Sequence, residues 1–174
     1  MRTVISGKVL ETMAASSEKQ FVTFSLGEEL FAVPVEVVRE ILDHEDAFKI
    51  PHGPDYLLGL RDVRGQGVPI IDLRIRLGMS PTVKTPHTRM LVLDVPIGEK
   101  VLALGLVADR VYEVVPFRPE QIEDAPDIGI RWRSDYIAGV VRRDSGFVVI
   151  IDLARLFSDA GPALAGVAPT SQVA

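Results

Sequence analysis

The sequence predicts an all-β protein: two small five-stranded barrels packed together, with short helices. Three observations carry this reading. Short runs rich in Val, Ile, Leu and Phe are punctuated by Gly, Pro and Asp, the pattern of many short strands in a sandwich or barrel. One segment also occurs twice, because a shift of 80 positions aligns Asp55 to Leu77 with Asp135 to Phe157 without a gap. Asp55, Tyr56, Gly59, Val68, Ile70, Ile71, Asp72 and Leu73 each meet an identical residue there, where residue frequencies would give about one or two matches. Finally, Val38-Arg39-Glu40-Ile41 is echoed by Val111-Tyr112-Glu113-Val114 at an offset of 73. The duplication therefore spans most of the body, with loops of different length in the two copies.

Taken in order, residues 1–19 and 159–174 are rich in small and polar residues without a sustained amphipathic pattern, and are predicted to be flexible tails. The body, 20–158, is divided into two barrels of about 20–88 and 89–158, with a chain crossing between them allowed. The first set of strands is Phe21 to Leu26, Leu30 to Val35, Val37 to Leu42, Leu60 to Val63 and Val68 to Ile71. The second is Met90 to Val95, Val101 to Val107, Val111 to Val115, Val140 to Arg142 and Phe147 to Ile151. Turn residues at Gly27-Glu28-Glu29, Arg64-Gly65-Gln66-Gly67 and Asp144-Ser145-Gly146 suit hairpins. Helix is expected only in short pieces, mainly after Asp72 and Asp152. Units of about 70 residues are marginal alone and are expected to pack on each other. Closing five short strands into a barrel removes exposed edges.

Composition narrows the function classes. An apolar share of 47% and a charged share of 25% are those of a globular protein. A net charge of -5, without a long Lys/Arg run, argues against nucleic acid. The absence of cysteine excludes disulfides, thiolate metal sites and cysteine nucleophiles. The N-terminal residues lack the continuous apolar region of a signal peptide, and Val101 to Ala108 is too short to span a bilayer, so a cytoplasmic protein without direct membrane insertion is expected.

No motif carries chemistry. Asp72 and Asp152 each follow an Ile-Ile strand and precede a helical pattern, where a carboxylate caps backbone N–H groups. His44, His52 and His87 lack metal-ligand spacing and are expected to be solvated. Gly65-Gln66-Gly67 reads as a hairpin turn, not a dinucleotide loop. No catalytic residue, metal site or cofactor is expected. What stands out is Arg64 in its glycine-containing turn, with five donors available to carboxylates or carbonyls. Of adjacent strand valines such as Val37 and Val38, one must face away from a barrel interior, and Val111 is placed similarly. Such a residue could line a groove beside the other barrel.

These residues resemble the CheW family of bacterial chemotaxis coupling proteins over about Gln20 to Ser158. The matching pattern runs through Phe21, Phe24 and Leu26, then Phe31, Ala32, Val33, Pro34, Val35, Val38, Glu40 and Ile41. It continues through Ile50, Pro51, Pro54, Tyr56 and Gly59, and through Arg64, Gly65, Pro69, Ile70, Ile71, Asp72, Leu73 and Arg74. Ala108, Asp109, Val111, Glu113 and Val114, then Tyr136, Ile137, Gly139 and Val140, complete it. The resemblance implies SH3-like barrels and a non-enzymatic adaptor that bridges the cytoplasmic tip of a chemoreceptor to the regulatory domain of a CheA-type histidine kinase. It implies recruitment to membrane receptor arrays through those partners. Carried over by position, Val38, Glu40, Gly59, Arg64 and Val111 fall near a receptor-binding groove. Ala47, Phe48 and the strand edges beside Gly65 fall on a kinase-binding face, and Ile128 on a second, ring-closing contact.

The chain departs from the family at Asp62-Val63-Arg64-Gly65, where Asn-Leu-Arg-Gly is usual, and at Arg61. Asp62 is placed to pair with either arginine, and Gly67 to loosen a strand or mark a bulge. The alternatives are a ligand sensor or enzyme using the cleft between the barrels, or a coupling protein of a surface-motility or developmental pathway. Function is expected where the two copies differ, as at Arg64, whose counterpart is Asp144.

Overall fold

The computed structural model describes residues 18–124, 136–144 and 146–158. In order, these form β1 (Lys19–Leu26), β2 (Glu29–Pro34), β3 (Val38–Asp43), β4 (Leu57–Val63) and β5 (Gln66–Asp72), then helix α1 (Leu73–Arg76). There follow β6 (Arg89–Ile97), β7 (Lys100–Ala108), β8 (Arg110–Phe117), β9 (Ile122–Glu123), β10 (Ile137–Arg143), β11 (Gly146–Ile151) and helix α2 (Leu153–Ser158). Each of the ten predicted strands has its counterpart, usually a little longer. Two differences have local causes. Val35 and Val37, expected in strands, form a 3-10 turn with Glu36 directly after Pro34, a residue that cannot donate to a ladder. β4 starts at Leu57 and not Leu60, because Leu58 is absorbed as a bulge between Leu57, opposite Ile71, and Gly59, opposite Ile70. The two-residue β9 was not anticipated.

The strands build two curled sheets, the SH3-like barrels, ordered β3-β6-β7-β5-β4 and β8-β1-β2-β11-β10-β9. The sheets do not divide near residue 88. One barrel is the contiguous stretch from β3 to β7, which we call the inner barrel. The other, the outer barrel, joins the first hairpin, β1–β2, to β8–β11. The link is a parallel pairing of β2 with β11, Phe31 opposite Val149, matched in the inner barrel by β7 with β5, Leu106 opposite Ile71. Each sequence repeat thus gives its first hairpin to the barrel completed by the other.

Register makes the equivalence residue by residue. Val38 pairs with Leu93 and Glu40 with Val92 across a bulge, and Val111 pairs with Phe24 across a bulge in the same place. So β3 corresponds to β8, β6 to β1, β7 to β2, β5 to β11 and β4 to β10. Even the bulge just before Gly59 recurs just before Gly139.

Apolar side chains segregate into three clusters. Val63, Val68, Ile70, Met90, Val92 and Val107 fill the inner barrel, and Phe21, Ala32, Val115, Phe117, Val141, Val148 and Ile150 fill the outer one. The largest cluster lies between them, joining Val22, Phe24, Leu26 and Phe31 to Leu91, Leu93, Leu104 and Leu106. Strand alternation produces this division, since one face of each central hairpin points into its own barrel and the other toward the neighbour.

Both helices are capped by the aspartates predicted to do so. The Asp72 carboxylate accepts from the Arg74 N–H at 3.1 Å, and from the Thr82 N–H at 2.9 Å and hydroxyl at 2.8 Å. Asp152 accepts from the Arg155 N–H at 3.1 Å. Arg76 spans the pseudo-symmetric junction, donating to the Leu156 carbonyl at 2.7 Å. Its guanidinium carbon lies 5.3 Å from the Tyr56 ring centre and 5.2 Å from that of Tyr136, the repeated tyrosines, so this cation joins both copies.

Candidate functional site

Arg64 and Gly65 are the two loop residues of the β4–β5 hairpin, with φ of 53° and 82°. Positive φ at both positions matches the right-handed twist of the flanking strands. The geometry projects Arg64 from the barrel end, with its side chain 77% exposed. Its Nε donates to Glu40 on β3 at 2.8 Å, and this hydrogen bond is the main cause raising the Arg64 pKa. Asp62, the partner anticipated from sequence, makes no ion pair with either arginine among the described residues. Arg61 instead donates to the Asp43 carbonyl at 2.8 Å and pairs with Glu45 at 3.1 Å. Gly67 is regularly paired with Asp62, without a bulge.

Val38 and Val111, equivalent residues on equivalent edge strands, are half-buried and both pack against the cluster between the barrels. The structure therefore brings Glu40 and Arg64 into contact and sets Val38 and Val111 along the shared core. Gly59 has a different setting. It is buried, with φ of 147°, and a Cβ there would lie 2.1 Å from the Phe48 carbonyl oxygen. That close approach lets Phe48 bridge to Leu60, with bonds of 2.7 and 2.8 Å holding the long β3–β4 loop to the β4 edge. In the same loop Ala47 packs on the inner-barrel core while Phe48 is 77% exposed, and Gly65 is exposed at the hairpin tip. Ile128 lies outside the described residues.

Sequence reading missed a second polar group at this barrel end. Arg39, the bulged residue of β3, donates through Nε to Asp94 on β6 at 3.0 Å and through Nη1 to Gln66 on β5 at 3.2 Å, and its Nη2 also bonds Asp94. The Asp94 bond is the main cause raising the Arg39 pKa. These partners are far apart in sequence, and only the sheet order makes them neighbours. His44 also differs from its expected solvated setting. It is half-buried, with Nδ1 unpartnered, and burial is the main cause of a lowered pKa.

Among the described residues no group of three or more His, Asp or Glu side chains could hold a metal ion, and no helix is long and apolar enough to cross a membrane. What the surface offers is an exposed Phe, an exposed cation paired to a half-buried carboxylate, and half-buried valines against the cluster between the barrels. Such a mixture suits protein recognition.

Comparison with known proteins gives the family. A family model described as the CheW-like domain matches residues 20–161. A probable chemotaxis protein CheW from Rhizobium etli is 32% identical over 142 residues, covering 82% of this chain and 89% of that one. The chemotaxis protein CheW of Treponema pallidum is 31% identical, with 84% and 86% covered. Among solved structures, the scaffolding protein TtCheW from Thermoanaerobacter tengcongensis superposes with a TM-score of 0.72 at 31% identity, covering 80% of this chain and 88% of that one. With the family model matched over residues 20–161 and relatives and a solved structure alike over about four fifths of its length, the chain belongs to the CheW-like domain family.

Proposed function

We propose that this protein is a non-catalytic chemotaxis adaptor that couples the cytoplasmic tip of a chemoreceptor to a CheA-type histidine kinase. Family membership over nearly the whole described chain supports the scaffold role. An adaptor of this kind changes kinase output by binding receptor and kinase states unequally, which requires surfaces and no reactive centre. The observation that carries the site assignment is the exposed Arg64 held by Glu40 on the strand that also presents Val38. In this reading Val38, Glu40, Arg64 and Val111 form the receptor side, with Gly59 fixing the loop beside it. Ala47, Phe48 and Gly65 form the kinase side, and Ile128 a second, ring-closing contact.

The test is capture by purified receptor tip and by purified kinase regulatory domain. Arg64→Glu places a second carboxylate against Glu40 and is expected to lower receptor capture at least tenfold while kinase capture is kept. Phe48→Ser should do the reverse. Undiminished receptor capture by folded Arg64→Glu protein would overturn the receptor side of the assignment.

A further inference from the structure

The two barrels close their ends differently, and the difference leaves the outer one open. In the inner barrel, Arg39 reaches across the end to Asp94 and Gln66, and Arg64 bonds Glu40. By register, the corresponding positions in the outer barrel are Tyr112 for Arg39, Ser25 for Asp94, Gly146 for Gln66, Asp144 for Arg64 and Glu113 for Glu40. Both guanidinium groups are lost, and one of their carboxylate acceptors, Glu113, is kept.

The consequence is a pocket of about 350 Å³ in the outer barrel end, whose lining includes Thr23, Ser25, Glu28, Tyr112, Glu113 and Arg143 over apolar Leu30 and Val148. Ser25 is only 7% exposed, lines the pocket, and its hydroxyl has no hydrogen-bond partner among the described residues. Thr23 beside it is satisfied by the backbone of Glu113. The nearby cations are engaged elsewhere: Arg143 lies over the Phe117 ring at 5.8 Å, and Arg110 lies over Tyr112 at 5.8 Å with Nη2 3.3 Å from His87 Nδ1. The Glu113 and Glu28 carboxylates form no ion pair among the described residues.

We propose that the outer barrel end receives an arginine side chain from a partner protein, in the place that Arg39 and Arg64 of this chain occupy in the inner barrel. A guanidinium fits the pocket on three counts. It donates in several directions, to the Glu113 carboxylate and the Ser25 hydroxyl together. Its flat face packs on the Tyr112 ring and on the apolar floor of Leu30 and Val148, where a strongly hydrated ammonium is disfavoured. Its charge meets two carboxylates of the lining, Glu28 and Glu113, against the single cation Arg143, which lies over the Phe117 ring. The site does not depend on which proteins the Arg64 surface binds.

The test is a titration of isotope-labelled full chain with N-acetyl-arginine methylamide, and separately with N-acetyl-lysine methylamide, at low ionic strength, followed by amide resonances. Saturable shifts at Ser25, Tyr112 and Glu113 with the arginine compound, severalfold weaker binding of the lysine compound, and loss of affinity in Glu113→Gln are expected. The double variant Ser25→Asp with Tyr112→Arg rebuilds the Arg39–Asp94 pair within the chain and should close the pocket, abolishing the shifts while the spectrum stays folded. Absence of saturable shifts in the unaltered protein, equal binding of both compounds, or full binding by the folded double variant would overturn the proposal.

Discussion

Gly59 shows how a single position can be legible as important while its reason is not. The repeat marks it, since Gly139 recurs at its counterpart, but only the fold shows that a backbone carbonyl occupies the space of a Cβ. Gly59→Ala is expected to cost about 2–4 kcal/mol through steric overlap and an unfavourable φ. Gly65→Ala, at φ of 82° but with open space around it, should cost only about 1–2 kcal/mol. Urea midpoints at constant m-value distinguish the two. At His44 burial favours the neutral ring, so the folded pKa lies below the unfolded value of 6.5. The unfolded chain then binds the proton more readily, and the stability from the neutral ring is present above pH 6.5 and is lost as pH falls below it, through the folded pKa. His44→Gln should flatten the decline of stability just below pH 6.5 relative to the unaltered protein, measured by denaturation across that range.

At the level of elements, the two Ile-Ile-Asp-Leu segments have the same cap chemistry and different burdens. Asp72, 2% exposed, holds α1 and also fastens Thr82 of the α1–β6 connection, whereas Asp152 caps α2 and makes a loose pair with Arg155 at 3.6 Å. Replacing Asp72 by Ala strands buried donors as well as removing a cap, for an expected loss of about 2–4 kcal/mol. Asp152→Ala should lose about 0.5–1 kcal/mol. Thermal melts of both variants check the order, and equal losses would show that the Thr82 tether contributes little. The strands themselves were legible because branched apolar runs bounded by turn residues fit pleated, half-buried surfaces. Their ends at Val35 and Leu57 were not, because a 3-10 turn and a bulge depend on what the chain meets next.

For the whole molecule, the shared cluster outweighs either barrel interior. The inner barrel contributes Ile71, Leu73, Leu91, Leu93, Leu104 and Leu106 to it. At about 1.5–3 kcal/mol for each side chain fully buried, exposing these six would cost on the order of 10 kcal/mol, as much as the whole stability of a typical domain, about 5–15 kcal/mol. A fragment of residues 38–108, although it holds all five strands of one barrel, is therefore expected not to fold alone. Poor amide dispersion and no cooperative melt would bear this out, against a single cooperative transition for the full chain. Arg76, set against both repeated tyrosines and the Leu156 carbonyl, reinforces the same dependence.

The sequence by itself determined the class of fold, the duplication and the capping aspartates, because these rest on local patterns: apolar period, turn chemistry and residues recurring at a fixed offset. It also carried enough ordered motif to point to the family. Tertiary structure alone decided that the barrels do not coincide with the halves of the chain, that Arg64 answers to Glu40 and not to Asp62, and that Arg39 closes one barrel end while its counterpart leaves the other open. Each of these is a pairing between strands distant in sequence, and strand order, which places such residues side by side, is a property of the assembled sheet.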